Sequence, residues 1–210
     1  MKEEKSYTKR EEIWNVATHA FGVVSTLFLW RSLFNVSESN IERFVTSLYS
    51  LSLFAMFFVS SFYHVTPAGK LRAMIQKWDH CMIHVLISGT YTPLMLLAVG
   101  GMLGNIILIL SWSISVIGIV IELKSKKRSH LVSNMMYLFS GWLCILVIIP
   151  LYRSLSRMGI TCLLMGGIIY SVGVYFYEKR WEFSHAIWHV FVLGGAYCHF
   201  AAIYTLHIVS

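Results

Sequence analysis

Apolar residues in this chain run in long blocks rather than in alternation, and each block is close to the length that crosses a bilayer. Seven blocks occur, at approximately 14–34, 44–65, 79–99, 103–122, 132–151, 159–177 and 185–208. Crossing the hydrocarbon takes about 20 helical residues, and lipid accepts only backbone whose hydrogen bonds are satisfied internally. The pattern predicts an all-α membrane protein, a bundle of seven transmembrane helices. Pro67 and Gly69 break the chain after the second block, and Gly100, Gly101 and Gly104 mark a tight turn after the third. Thr92-Pro93 predicts a kink or thinning near the far end of the third block. Short loops without a linker predict a single domain over residues 1–210, with 1–12 as a short tail.

Composition agrees with a membrane protein. Only 13% of residues are charged and 57% are hydrophobic, where a soluble domain carries about a quarter charged. The net charge of +7 does not point to nucleic acid, because the basic residues sit between apolar blocks with no aromatic-interleaved patch. Their distribution instead sets orientation. Lys2, Lys5, Lys9, Arg10, Lys70, Arg72, Lys77, Lys124, Lys126, Lys127, Arg128, Lys179 and Arg180 fall on one side, 13 in all, against 4 on the other (Arg31, Arg43, Arg153 and Arg157). The positive-inside rule puts the N-terminus in the cytoplasm and the C-terminus outside. Cys81, Cys144, Cys162 and Cys198 lie within apolar blocks at wide spacing, and read as buried free thiols.

Polar residues inside these blocks are the candidates for chemistry, since histidine is costly in hydrocarbon without a partner or a task. His64 ends the second block, Asp79 opens the third, and His185 and His189 open the seventh. All four fall on the cytoplasmic side. The i,i+4 spacing stacks His185 and His189 on one helical face, where they can chelate one ion. A third imidazole from another helix completes a His₃ set and leaves one position of tetrahedral zinc for water. Asp79 is placed to accept a hydrogen bond from that water, and Ser60, one turn before His64, to orient a ligand or a substrate. Each has a plainer reading: interfacial histidines, a helix N-cap for Asp79, and a serine bonded to its own helix for Ser60. His80 and His84 form a rival i,i+4 pair that spacing alone does not reject. Glu12, Asn15 and His19 share one face of the first span and read as a structural polar seam. His199 and His207 read as packing or interface groups, and His130 as solvated.

The segments "SSFYH", "KWDHCMIHVLISGTYTP", "MYLFSGWL", "HAIWHVFVLGGAYCHF" and "EEIWNVATHAFG" resemble the hemolysin III family, the bacterial branch of the progestin and adipoQ receptor superfamily. The resemblance runs from about residue 11 to the C-terminus. It implies seven helices with the N-terminus inside, a multi-pass protein of the cell (inner) membrane, and a Zn2+ ion near the cytoplasmic face. It also implies the ligand set His64, His185 and His189, with Asp79 and Ser60 as the catalytic pair, and so sets His80 and His84 aside.

The superfamily is similar to the alkaline ceramidases, and that similarity implies hydrolysis of a lipid amide or ester. In that reaction zinc activates water, Asp79 moves the proton, Ser60 helps to hold the oxyanion, and membrane lipids are the partners. Two other readings stand beside it: a non-enzymatic regulator or signalling protein whose zinc is structural, and a cytolytic membrane protein. Against the last, the sequence shows no secretion signal and no amphipathic pore-lining period.

Overall fold

The computed structural model describes residues 7–125 and 130–207. Among these the regular secondary structure is all helical, and seven helices are long and apolar enough to cross a membrane. They are α1 (Lys9–Val36), α2 (Asn40–Val65), α3 (Lys70–Pro93, continued by a wide turn to Val99), α4 (Gly101–Lys124), a composite fifth span, α7 (Arg157–Tyr177) and α8 (Ser184–Tyr204). The fifth span consists of α5 (His130–Gly141), a tight 3₁₀ segment (Trp142–Val147) and α6 (Ile148–Ser154). Alternating crossings bring the starts of α1, α3, α5 and α8 to one end of the bundle, together with the ends of α2, α4 and α7.

Several boundaries differ from the sequence reading, each for a local reason. Residues 9–12, expected in a tail, form the first turn of α1. A reciprocal capping box starts that turn: Thr8 Oγ1 accepts from Glu11 N at 3.2 Å, and Thr8 N donates to Glu11 Oε2 at 2.8 Å. α3 begins at Lys70 behind Gly69, so Asp79 lies nine residues inside the helix, about 14 Å along its axis, and is not an N-cap. Of the basic residues counted for orientation, Lys2, Lys5, Lys126, Lys127 and Arg128 lie outside the described residues, and of His130 and His207 only the backbone is described.

The two membrane prolines act differently. Pro93 leads into a π-helical turn over Leu94–Val99, closed by Gly100 N on Met95 O at 2.8 Å. The chain then reverses through Gly100 and Gly101, both at positive φ, a conformation open to glycine at no steric cost. Pro150 breaks the fifth span, which was expected to be continuous. Its ring excludes the carbonyl four residues back, and the chain tightens to 3₁₀ just before it. Tyr91 of α3 satisfies the backbone at the break, its hydroxyl donating to Gly141 O at 2.9 Å and accepting from Cys144 N at 2.7 Å. Freed backbone at membrane depth needs such a partner.

The core is built on α2, where Tyr49, Leu53 and Phe57 are almost fully buried, and it extends to Leu86 and Met95 of the third span and Val192 and Ala196 of α8. Close helix approach uses small residues. Gly159, Gly166 and Gly173 recur every seven residues on α7 and receive Thr205, just past the end of α8, and His199 and Trp188 of α8. Ser88 of α3 bonds to Ser111 and Ser115 of α4 at 2.8 and 2.7 Å. Outward-facing side chains such as Phe21, Phe28 and Met102 are exposed and apolar, as a lipid-facing surface requires.

Candidate metal centre

The N-terminal end of the bundle brings three imidazoles together. His64 closes α2, while His185 and His189 occupy the first two turns of α8. One nitrogen from each lies within 4.8 Å of the other two. Ring centroids are 5.1 Å apart for His64–His185 and His64–His189, and 4.6 Å for His185–His189. His64 and His189 are buried and His185 is half-buried.

Their hydrogen bonds decide which nitrogen faces inward. His64 Nδ1 lies 2.7 Å from Glu12 Oε2. A carboxylate only accepts, so Nδ1 carries a proton, and the neutral form of the ring has its lone pair on Nε2. That Nε2 is buried with no hydrogen-bond partner among the described residues. His189 Nδ1 lies 3.1 Å from the carbonyl of Asn15 and 3.1 Å from Thr18 Oγ1, so it also donates through Nδ1 and presents Nε2. Thr18 spends its own proton on the carbonyls of Trp14 and Asn15. Fixing the remote nitrogen in this way is how proteins prepare histidine for a metal.

The donor set fits zinc. Bonds of about 2.0–2.1 Å in a tetrahedron put ligand nitrogens roughly 3.4 Å apart, so the three rings need close in by little more than 1 Å at most. His64 Nε2, a buried nitrogen with no protein partner, is the kind of atom an ion satisfies. Tyr7 covers the cluster, its ring centroid 5.7 Å from that of His64 and 5.0 Å from that of His185. Burial pushes the Tyr7 phenol well above its usual range, so this cover is neutral.

A cavity of about 120 Å³ opens beside the cluster. Ser60, Asp79, His185 and His189 wall one end, Leu86 and Val192 line the middle, and Tyr170 and His199 stand at the far end. From His185 to His199 is about 21 Å along α8. Ser60 is buried and faces this space, whereas Ser61 turns back to Phe57 O at 2.8 Å. The structure therefore sets Asp79 and Ser60 into one cavity with two of the three imidazoles.

Of the rival pair, only His80 reaches this cavity, and neither belongs to the three-imidazole cluster among the described residues. His84 turns toward α4 and α5, its ring 4.7 Å from that of Tyr137 and over Gly118, where a Cβ would overlap it. His80 touches the cavity wall, and its Nδ1 lies 3.9 Å from Glu122 Oε2. Sequence reasoning passed over Glu122, a buried acid near the end of α4 that accepts from Ser133 and from Tyr137 at 3.3 Å. Its signal was a lone carboxylate in the apolar run "GIVIELK". His199, expected as a packing or interface group, has Nε2 3.3 Å from Leu163 O and also lines the cavity. The seam of Glu12, Asn15 and His19 is more than structural: all three touch site histidines.

A family model described as haemolysin-III related matches residues 7–200. The chain belongs to the haemolysin III family. It is 39% identical over 194 residues to the hemolysin-3 homolog of Bacillus subtilis, covering 90% of this chain and 91% of that protein. It is 36% identical over 191 residues to hemolysin-3 of Bacillus cereus, covering 89% and 87%. The monocyte to macrophage differentiation factor of Homo sapiens is 27% identical over 203 residues, covering 92% and 83%. These matches cover between 83% and 92% of each chain, so the similarity of this haemolysin III family protein to its relatives is not confined to one segment.

Proposed function

We propose that this protein is a zinc-dependent hydrolase of a lipid amide or ester. The observation that carries the proposal is the convergence of His64, His185 and His189 beside a cavity that also holds Asp79 and Ser60. Zinc on three neutral imidazoles would keep one position open and lower the pKa of water there. The chain's own residues supply the rest. Glu12 and the Asn15 carbonyl hold the His64 and His189 rings in the ligating tautomer. Asp79 takes a proton from the attacking water and returns it to the leaving amine or alcohol. Ser60 donates to the carbonyl oxygen as charge develops. The apolar middle of the cavity takes an acyl chain and keeps water from it.

The site lies at the N-terminal end of the bundle, and the loop charges support a cytoplasmic position for that end, in a multi-pass protein of the inner membrane. The substrate then enters from the cytoplasmic leaflet. The test is turnover of lipid amides and esters by purified protein in proteoliposomes, comparing wild type with Asp79→Asn. Hydrolysis that needs zinc and is lost in the variant supports the proposal, and equal release by both refutes it.

One observation favours a second reading. The same three ligands join the end of α2 to the start of α8, as a structural clamp would. In a non-enzymatic membrane regulator, Asp79→Asn leaves function intact and loss of His189 destroys it.

A further inference from the structure

The first turn of α1 carries two adjacent carboxylates, and each ties α1 to a different ligand-bearing helix. Glu11 Oε1 accepts from Phe183 N at 3.1 Å. Phe183 is the N-cap of α8, in the left-handed conformation, two residues before His185. Glu12 Oε2 takes His64 Nδ1 at 2.7 Å, and Glu12 Oε1 takes Arg72 at the start of α3. Arg72 donates in turn to Thr66 O at 2.7 Å, just past the end of α2, with its guanidinium 4.6 Å from the centre of the Tyr63 ring. Neighbouring helical residues point about 100° apart, so one turn reaches both ways at once.

We propose that Glu12 is the positioning residue that selects the ligating tautomer of His64, and that Glu11 and Glu12 together clasp the two helices whose histidines form the site. The proposal rests on the zinc reading above. Two groups compete for His64 Nδ1. Glu12 accepts from it at 2.7 Å, and the Asn15 side-chain amide lies 3.4 Å away. The amide is a donor. Acting alone it would favour a bare Nδ1 and a protonated Nε2, which cannot bind a metal. With the carboxylate present, the Asn15 amide also lies 3.4 Å from Glu12 Oε2, an acceptor to which it can donate. Arg72 fixes the other carboxylate oxygen, so the carboxylate stays turned toward His64.

This arrangement makes Glu12→Gln more than a loss of charge. Arg72 has only donors, so it claims the amide oxygen of the new glutamine. The glutamine NH₂ is then left facing His64 Nδ1 as a second donor, which inverts the hydrogen bond and the tautomer. The variant is close to isosteric, and its metal-free melting temperature should stay near that of wild type.

The experiment titrates cobalt(II) alone into purified metal-free protein in detergent and follows affinity and the visible spectrum. Wild type is expected to bind one equivalent. Glu12→Gln is expected to bind about 10–100-fold more weakly, the usual cost of removing a partner behind a metal-binding histidine. Adding Arg72→Met to Glu12→Gln frees the amide to flip and should recover part of that loss. A Glu12→Gln affinity equal to wild type, or a double variant no tighter than the single one, overturns the proposal. Nitrogen-15 NMR of the histidine rings in metal-free wild type needs no variant: His64 should be protonated at Nδ1, and protonation at Nε2 overturns the proposal. Wild type that takes up no cobalt refutes the zinc reading itself, whereas normal uptake with an unaffected Glu12→Gln refutes only the role of Glu12.

Discussion

His19 lies flat on His189, with ring centroids 3.6 Å apart and 14° between the planes. His19 also makes a T-shaped contact with Phe57, centroid to centroid 5.1 Å, and Phe57 packs against Gly22, where a Cβ would collide with its ring. A continuous stack from α2 through α1 to α8 therefore holds the plane of one candidate ligand. His19 itself is buried, with neither ring nitrogen hydrogen-bonded among the described residues.

The stack makes His19 a packing element first. His19→Phe should keep both the metal content and the melting temperature close to wild type. His19→Ala should destabilise by about 2–4 kcal/mol, as for other large-to-small changes in a close-packed core. Thermal unfolding in detergent distinguishes the two. An unchanged melting temperature in the alanine variant would mean that the stack contributes nothing.

Asp79 and Ser60 line the cavity from α3 and α2, so their loss should spare the metal and remove turnover. Asp79→Asn should cut lipid hydrolysis about 10²–10⁴-fold, and Ser60→Ala about 10²–10³-fold. Zinc per chain should be unchanged in both. Loss of zinc in Ser60→Ala would place that residue in the ligand shell instead.

His84 faces Gly118 rather than the site. Gly118→Val should overpack this contact and cost about 1–3 kcal/mol, read as a lower melting temperature with normal zinc content. His80→Ala combined with His84→Ala should likewise retain zinc. A metal-free double variant would revive "DHCMIH" as the chelate.

Tyr91 bridges the break in the fifth span. Tyr91→Phe strands the buried Cys144 N–H, which costs about 1–3 kcal/mol when unmet, and leaves the Gly141 carbonyl with only the weak Cys144 Sγ donor at 3.8 Å. Faster amide exchange around residues 141–147 would report the loss. Exchange equal to wild type would show that the 3₁₀ segment satisfies itself.

The seven spans were legible because apolar blocks near bilayer length are a strong one-dimensional signal. The clustering of His64, His185 and His189 was legible for a different reason. The i,i+4 pair lies on one helix, alternation of crossings assigned His64 to the same end, and the family motifs removed the rival pair. The partners behind the ligands were not legible, since Glu12 meets His64 across 52 residues and Thr18 meets His189 across 171. No local pattern encodes such a pairing, although the 12, 15, 19 spacing did show that those residues share a face. Asp79 was placed too near a helix start because Lys70–Trp78 is too polar to read as membrane span, yet it is helical. The fifth span broke where Pro150 alone gave no warning, because its effect falls on the turn before it.

The decisive measurement is zinc per chain, by elemental analysis of protein purified without added chelator, for wild type and for the combined His64→Ala, His185→Ala and His189→Ala variant. One equivalent in wild type and none in a variant that still folds is the expected result. Wild type without zinc, or a triple variant that keeps its full equivalent, would contradict a metal centre built from α2 and α8.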